Sequence, residues 1–184
     1  MSDASSKLLS QANQARRENR LADAKRDLEE AVDLCRKAGL RAELAQALTG
    51  LGQIERDLHH SDAALKHYEE AAAIYRAEGD VLRLAHTVRH VGDIHQDEGR
   101  RELALPYYNE ALDLYRNDTR TTPLDLANAI RGLAILKDDA GEAEESRLLW
   151  QAAMNLYTAV NVEAGVAESS RRLALLSQKQ KAGK

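Results

Sequence analysis

The chain has 184 residues, room for one medium domain or a short array. Ala (31) and Leu (27) make almost a third of it, against 12 Val plus Ile, no Phe, two Pro and ten Gly, a helix composition that argues against sandwiches, barrels and parallel-sheet nucleotide-binding folds. The formal charge of −4 comes from 26 Lys/Arg and 30 Asp/Glu spread along the chain, which argues against nucleic-acid binding by bulk charge.

The N-terminal stretch through Arg17 has no apolar core of signal-peptide length. Nowhere does an apolar run approach the roughly 20 residues that span a bilayer. A cytoplasmic protein with no membrane partner is expected. The single cysteine, Cys35, has no intramolecular disulfide partner and fits a reducing compartment.

Sliding the sequence by 40 places Cys35 on Tyr75 and Tyr115, Ala31 on Ala71 and Ala111, Ala45 on Ala85, and Gly52 on Gly92. The register slips by two in the polar stretch Asn117 to Pro123, so that Ala85 matches Ala127, and the 40-residue step then returns from Ala127 to Ala167. Within each unit apolar residues recur three and four apart, which is the pattern of two amphipathic helices. In chain order the spacing predicts nine helices, over about 3–17, 22–38, 42–58, 62–78, 82–98, 102–117, 124–140, 143–160 and 164–180. The breaks fall at Asn19, Gly39, His59, Gly79, Gly99, Gly141 and Asn161, residue types that tolerate the left-handed conformation ending a helix. Ser61, Asp62 and Asp80 are candidate N-caps. Pro106 lies early in the sixth helix, where a slight distortion is expected in place of a break.

Small residues form columns: Ala12, Gly52, Gly92, Ala134 and Ala174 in the first helices, and Ala24 with Ala31, Ala64 with Ala71, Ala104 with Ala111, and Ser146 with Ala153 in the second. Leu28, Tyr68, Tyr108 and Trp150 stand between the latter pairs. On these columns the chain resembles the tetratricopeptide repeat, in a form of about 40 residues whose closing proline is missing. The resemblance implies an all-α, right-handed α-solenoid of antiparallel helix pairs, a superhelix of about nine helices. The repeats would be 3–39, 42–79, 82–119 and 124–161 in a single domain, 1–184, closed by a capping helix over 164–180. That helix is expected to keep Ala167, Leu173, Ala174 and Leu176 in the core and to turn Ser169, Arg172, Gln178 and Lys179 outward.

The resemblance also implies a concave surface built from the first helices, where a protein or peptide partner binds. Three columns face it by register: Thr49, Arg89, Arg131 and Arg171; Asn13, Gln53 and Asp93; and Asp57, Asp97 and Asp139. His86 and Asn128 belong to the same surface. The Arg and Asp columns stand eight residues apart, about 12 Å along a helix, so a groove basic along one edge and acidic along the other is expected. A partner's carboxylates would meet the Arg row and its basic groups the Asp row. The bland reading pairs Arg89 with Asp93 one turn away, and the Asp row with Arg100 or Arg101. A carboxylate clamp of the co-chaperone kind is disfavoured, because Leu9 stands where it needs a cation.

His86, His90, Asp93 and Asp97 lie on one stripe, but Asp97 is about 16 Å along the helix from His86, too far to share an ion. No phosphate loop, paired-cysteine motif or nucleophile elbow is present, so no cofactor, metal or catalytic activity is expected. The function expected is that of a non-catalytic interaction scaffold, acting as a monomer or weak homodimer. The alternatives are a sensor module of a bacterial regulatory system and a self-assembling solenoid.

Overall fold

The computed structural model describes residues 3–182, and the side chains of 4–178. Helices occupy nearly all of it: α1 (Asp3–Arg17), α2 (Leu21–Ala38), α3 (Arg41–Asp57), α4 (Ser61–Glu78), α5 (Val81–Asp97), α6 (Arg101–Asn117), α7 (Pro123–Asp139), α8 (Ala143–Ala159) and α9 (Glu163–Ala182). Eight of the nine agree with the spacing-based bounds to within one residue at each end, and α9 runs two further. Pro106 lies inside α6 without breaking it. The chain divides into two compact units, Met1–Ile94 and His95–Lys184.

All seven breaks read from the sequence have positive φ, from 57° at Asn19 and Asn161 to 78° at Gly141. Each is followed by a backbone N–H that reaches back five residues, as from Leu40 to the carbonyl of Cys35 (3.0 Å) and from His60 to that of Glu55 (2.8 Å). This Schellman arrangement satisfies carbonyls at the helix end and leaves one residue before the next helix begins. His59 shows that the geometry, and not glycine alone, is what repeats. The short turn also removes two expected caps. His60, not Ser61 or Asp62, holds the cap position of α4, and it makes no side-chain cap bond. Asp80 does cap, its Oδ1 accepting from the N–H of Arg83 (3.2 Å).

The two-residue insertion works differently. Asp118 is extended, and its carboxylate accepts from the backbone N–H of Arg120 and from that residue's guanidinium. Thr122 then caps α7, accepting from the N–H of Asp125 (3.1 Å) with Pro123 in the first turn.

The core of each unit is built from the columns. Ala24, Ala31, Ala64, Ala71, Ala104, Ala111, Ser146 and Ala153 are all fully buried, as is Cys35, and Tyr75, Tyr115 and Tyr157 are nearly so. A Cβ on Gly52 would lie 2.9 Å from the Tyr68 ring, which is why that column is small.

A second column, which the sequence did not single out, is Gly50, His90, Gly132 and Arg172. Each member lies against the bulky residue of the preceding second helix. A Cβ on Gly50 would meet Leu28 at 2.8 Å, and one on Gly132 would clash with Tyr108. His90 stacks on Tyr68 with ring centroids 5.4 Å apart, and the Arg172 guanidinium lies 5.7 Å from the Trp150 ring centre.

This second column corrects the reading of α9. Ser169 is fully buried, its hydroxyl donating to the Gly165 carbonyl, and Arg172 is drawn inward over Trp150. Ala167 and Ala174 are exposed instead. The face of α9 that packs on α8 carries Gly165, Ser169, Leu173 and Leu176, whereas Ala167 and Ala174 lie on the face that the other first helices turn toward a following second helix. There Ser170 and Ser177 replace the buried Ile130 and half-buried Lys137 of α7. Gln178 is exposed as expected, and the side chain of Lys179 lies outside the described residues.

Candidate functional site

The Arg column is not one kind of position. Arg89, on α5, is turned inward with its side chain only 11% exposed, and its Nη1 donates to Asp93 Oδ2 at 2.7 Å. Arg131, on α7, forks onto Glu168 of α9 at 2.6 and 3.0 Å. Arg171 is exposed, and Thr49 turns its hydroxyl back to the Ala45 carbonyl (2.8 Å). The Asp column is largely committed too. Asp57 pairs with Arg16 of α1 at 3.1 Å and Asp139 with Arg101 at 3.8 Å, while Asp97 is exposed at the end of α5. Asn128 accepts from the Tyr157 hydroxyl at 2.8 Å.

Around His90 these contacts close into a charged core in the first unit. Arg56 Nη1 lies 2.8 Å from His90 Nδ1 and 3.2 Å from Asp93 Oδ2, while Arg89 Nη2 lies 3.0 Å from His90 Nε2. His86 Nε2 is 3.1 Å from the same nitrogen. His90 Nδ1 also lies 3.2 Å from Asp93 Oδ2, which favours a proton on that nitrogen, while the guanidinium N–H groups facing both ring nitrogens oppose a second one. Burial, with Arg89 and His86 adding to it, lowers the ring's pKa to about 3, against the pull of Asp93. Burial alone would raise the Asp93 carboxyl, but His90, Arg89 and Arg56 together hold it well below the usual carboxylate range. Both groups therefore have folded pKa values below their unfolded ones, and both cost stability in acid. Below pH about 6.5 the unfolded chain takes up a proton at His90 that the folded chain refuses, until about pH 3. Urea unfolding is expected to show stability falling by up to about 1.4 kcal/mol per pH unit from this group across that window. Asp93 adds its loss below about pH 4. His90→Gln flattens the profile between pH 6 and 4, and an unchanged slope there would refute the assignment.

Beside this cluster lies a cavity of about 320 Å³, built from the first helices α1, α3 and α5 with Leu28 and Tyr75 beneath. Asn13, Thr49, Gln53 and His86, four of the residues singled out in the sequence, line it. Leu9, Gln46, Gly50, Leu82, Arg83 and Thr87 complete it. Gln46 is a residue the sequence reading missed, although it occupies the column of His86, Asn128 and Glu168. The cavity has a simple origin. At the same register in the second unit, the long side chains of Arg131 and Glu168 meet across neighbouring first helices. Here their counterparts are Thr49 and His86, which are shorter and bonded elsewhere, and Gly50 adds no side chain to the floor.

Among the described residues no cluster of three or more His, Cys, Asp or Glu could hold a metal ion. Nor is any helix long and apolar enough to cross a membrane.

No curated protein matches the sequence. Two solved structures cover most of the chain at 14% identity: aspartyl phosphate phosphatase F from Bacillus subtilis, with a TM-score of 0.85 over 96% of this chain and 46% of that one, and the apo form of RapI, with 0.79 over 95% and 48%. BtubC (BKLC) from P. vanneervenii matches at 20% identity and a TM-score of 0.74, over 82% of this chain and 61% of its own. This chain thus spans about half to three-fifths of the length of the structures it matches, and at such identities the likeness is one of fold, that of helical-repeat solenoids. Tetratricopeptide-repeat models match residues 3–77 and 90–118, together more than half of the sequence. With the repeated columns, the shared turns and these matches agreeing, the chain belongs to the tetratricopeptide repeat family.

Proposed function

We propose that the protein is a non-catalytic interaction module that holds a segment of a partner protein against the first-helix face of its first unit. The observation that supports this most is the cavity flanked by Thr49 and His86. It is concave, lined from three successive first helices, and apolar at its base with polar groups around it, the usual make-up of a binding site. The rigid helices around it avoid ordering costs on binding. In this reading Asn13, Thr49, Gln53 and His86 touch the partner. Asp57, Asp93, Asp139 and Arg131 act mainly by tying neighbouring helices together, and Arg89 holds Asp93 within its own helix.

A regulatory role is the second reading. It draws on the likeness to aspartyl phosphate phosphatase F, of which this chain spans under half.

The test is a peptide-phage selection against the full chain, followed by binding to the double variant Thr49→Arg/His86→Glu. That variant transplants the Arg131–Glu168 pair into the cavity. Selected peptides are expected to lose at least about ten-fold in affinity with the helical circular dichroism unchanged, ten-fold being about 1.4 kcal/mol. Peptides that bind the filled variant undiminished would show that the partner surface lies elsewhere.

A further inference from the structure

We infer that the occupant of the Thr49–His86 cavity is an uncharged stretch of polypeptide that inserts one apolar side chain and is held through its own peptide groups. This rests on the reading above and adds the chemistry of the ligand. The base of the cavity is apolar, from Leu9, Leu28, Leu82 and the Tyr75 ring. At about 320 Å³ it sits at the small end of the size range of ligand pockets, suited to a side chain and its flanking peptide groups and too small for a helix.

Around that base stand three carboxamides, those of Asn13, Gln46 and Gln53, which make no hydrogen bond among the described residues. A carboxamide both donates and accepts, as a peptide group does, and carries no charge to pair with an ion. The charged groups nearby are already committed. Arg83, on the cavity wall, is ion-paired with Asp80, and Arg89 and Arg56 behind His86 both hold Asp93. The Arg column that would greet a carboxylate is interrupted here by Thr49, and by Leu9 on the preceding first helix. A ligand carboxylate entering this place would have to compete with Asp80 for the Arg83 guanidinium, and an ammonium would give up water with no carboxylate on the cavity wall to meet it. An apolar side chain gains from the base, and its peptide groups gain from the rim.

The experiment is an NMR titration of the full chain, reading the side-chain amide signals of Asn13, Gln46 and Gln53. Three probes are compared: N-acetyl-leucine N-methylamide, which is neutral; N-acetyl-leucine, with a free carboxylate; and N-acetyl-lysine N-methylamide. The neutral leucine probe is expected to shift these signals and to bind at least about ten-fold more tightly than either charged probe. Thr49→Arg/His86→Glu should abolish its effect. If a charged probe binds equally or better, the assigned chemistry is wrong while the cavity stands as a binding site. If no probe moves the three signals, or the neutral probe moves them equally in the filled variant, the inference fails outright. The phage selection, which does not presuppose any ligand chemistry, decides the underlying reading separately.

Discussion

Asp93→Asn is expected to destabilise the protein by about 3–5 kcal/mol, read by urea unfolding at neutral pH. The substitution keeps the shape of the side chain and removes the one carboxylate shared by Arg89 and Arg56. The Arg89 side chain is only 11% exposed, so its charge has little recourse to water once its partner is gone. The reason for the large loss is therefore the guanidinium left behind, more than the pair itself: a buried ion without a counter-ion is worse than no ions at all. Asp57→Asn supplies the comparison. Its pair with Arg16 has about two-fifths of each side chain exposed, and its loss should stay below about 1 kcal/mol. Equal losses at the two sites would mean that the His90 cluster is far better hydrated than its geometry indicates. Because His90 is uncharged, Asp93→Asn should also leave the cluster with two cations and no anion, so added chloride should restore part of the loss.

In the second unit, Trp150→Ala is expected to cost about 3–5 kcal/mol, the range for emptying the place of a large core aromatic. Trp150 is fully buried and packs with Ala134 and Leu176, and Ile135, Leu149 and Leu173 surround that group. Its loss also strips Arg172 of the ring it lies over, leaving the guanidinium its pair with Asp138 at 3.2 Å. Trp150→Phe should cost less than its lost volume suggests, because the buried indole Nε1–H has no hydrogen-bond acceptor among the described residues and its removal relieves that penalty. Leu148, two residues away and 61% exposed, serves as the control: Leu148→Ala should change stability by less than about 0.5 kcal/mol. A small effect of Trp150→Ala would mean that α7, α8 and α9 close over the space left by the ring.

Much of the fold was legible because its repeating parts are local. A left-handed residue at His59 or Asn161 and a stretch of helical spacing on either side depend on the residues within a few positions, and the sequence prints those directly. The small columns were legible for a related reason: Ala31, Ala71 and Ala111 recur wherever two helices press together. The second column was harder to see because its glycines, Gly50 and Gly132, alternate with His90 and Arg172, which share no chemistry with them. They share only a neighbour, a large side chain from the previous helix, and each meets it in its own way. The same neighbour explains why Arg172 faces inward and Ala174 outward on α9.

The candidate site divides along the same line. The sequence by itself determined the helices, the register of the repeats and which residues share a position on the first-helix face. It did so because hydrophobic spacing and backbone preference are set by nearby residues. The Arg89–Asp93 pair, one turn apart on α5, was among the sequence's own alternatives; only the tertiary structure decided that Arg56 joins it from α3, that Arg131 reaches Glu168, and that Thr49 and His86 leave a cavity where Arg131 and Glu168 meet. Ion pairing and burial act through space between helices some 37 residues apart in sequence, as Arg131 and Glu168 are, and identical letters in one column carry no information about which partner stands opposite.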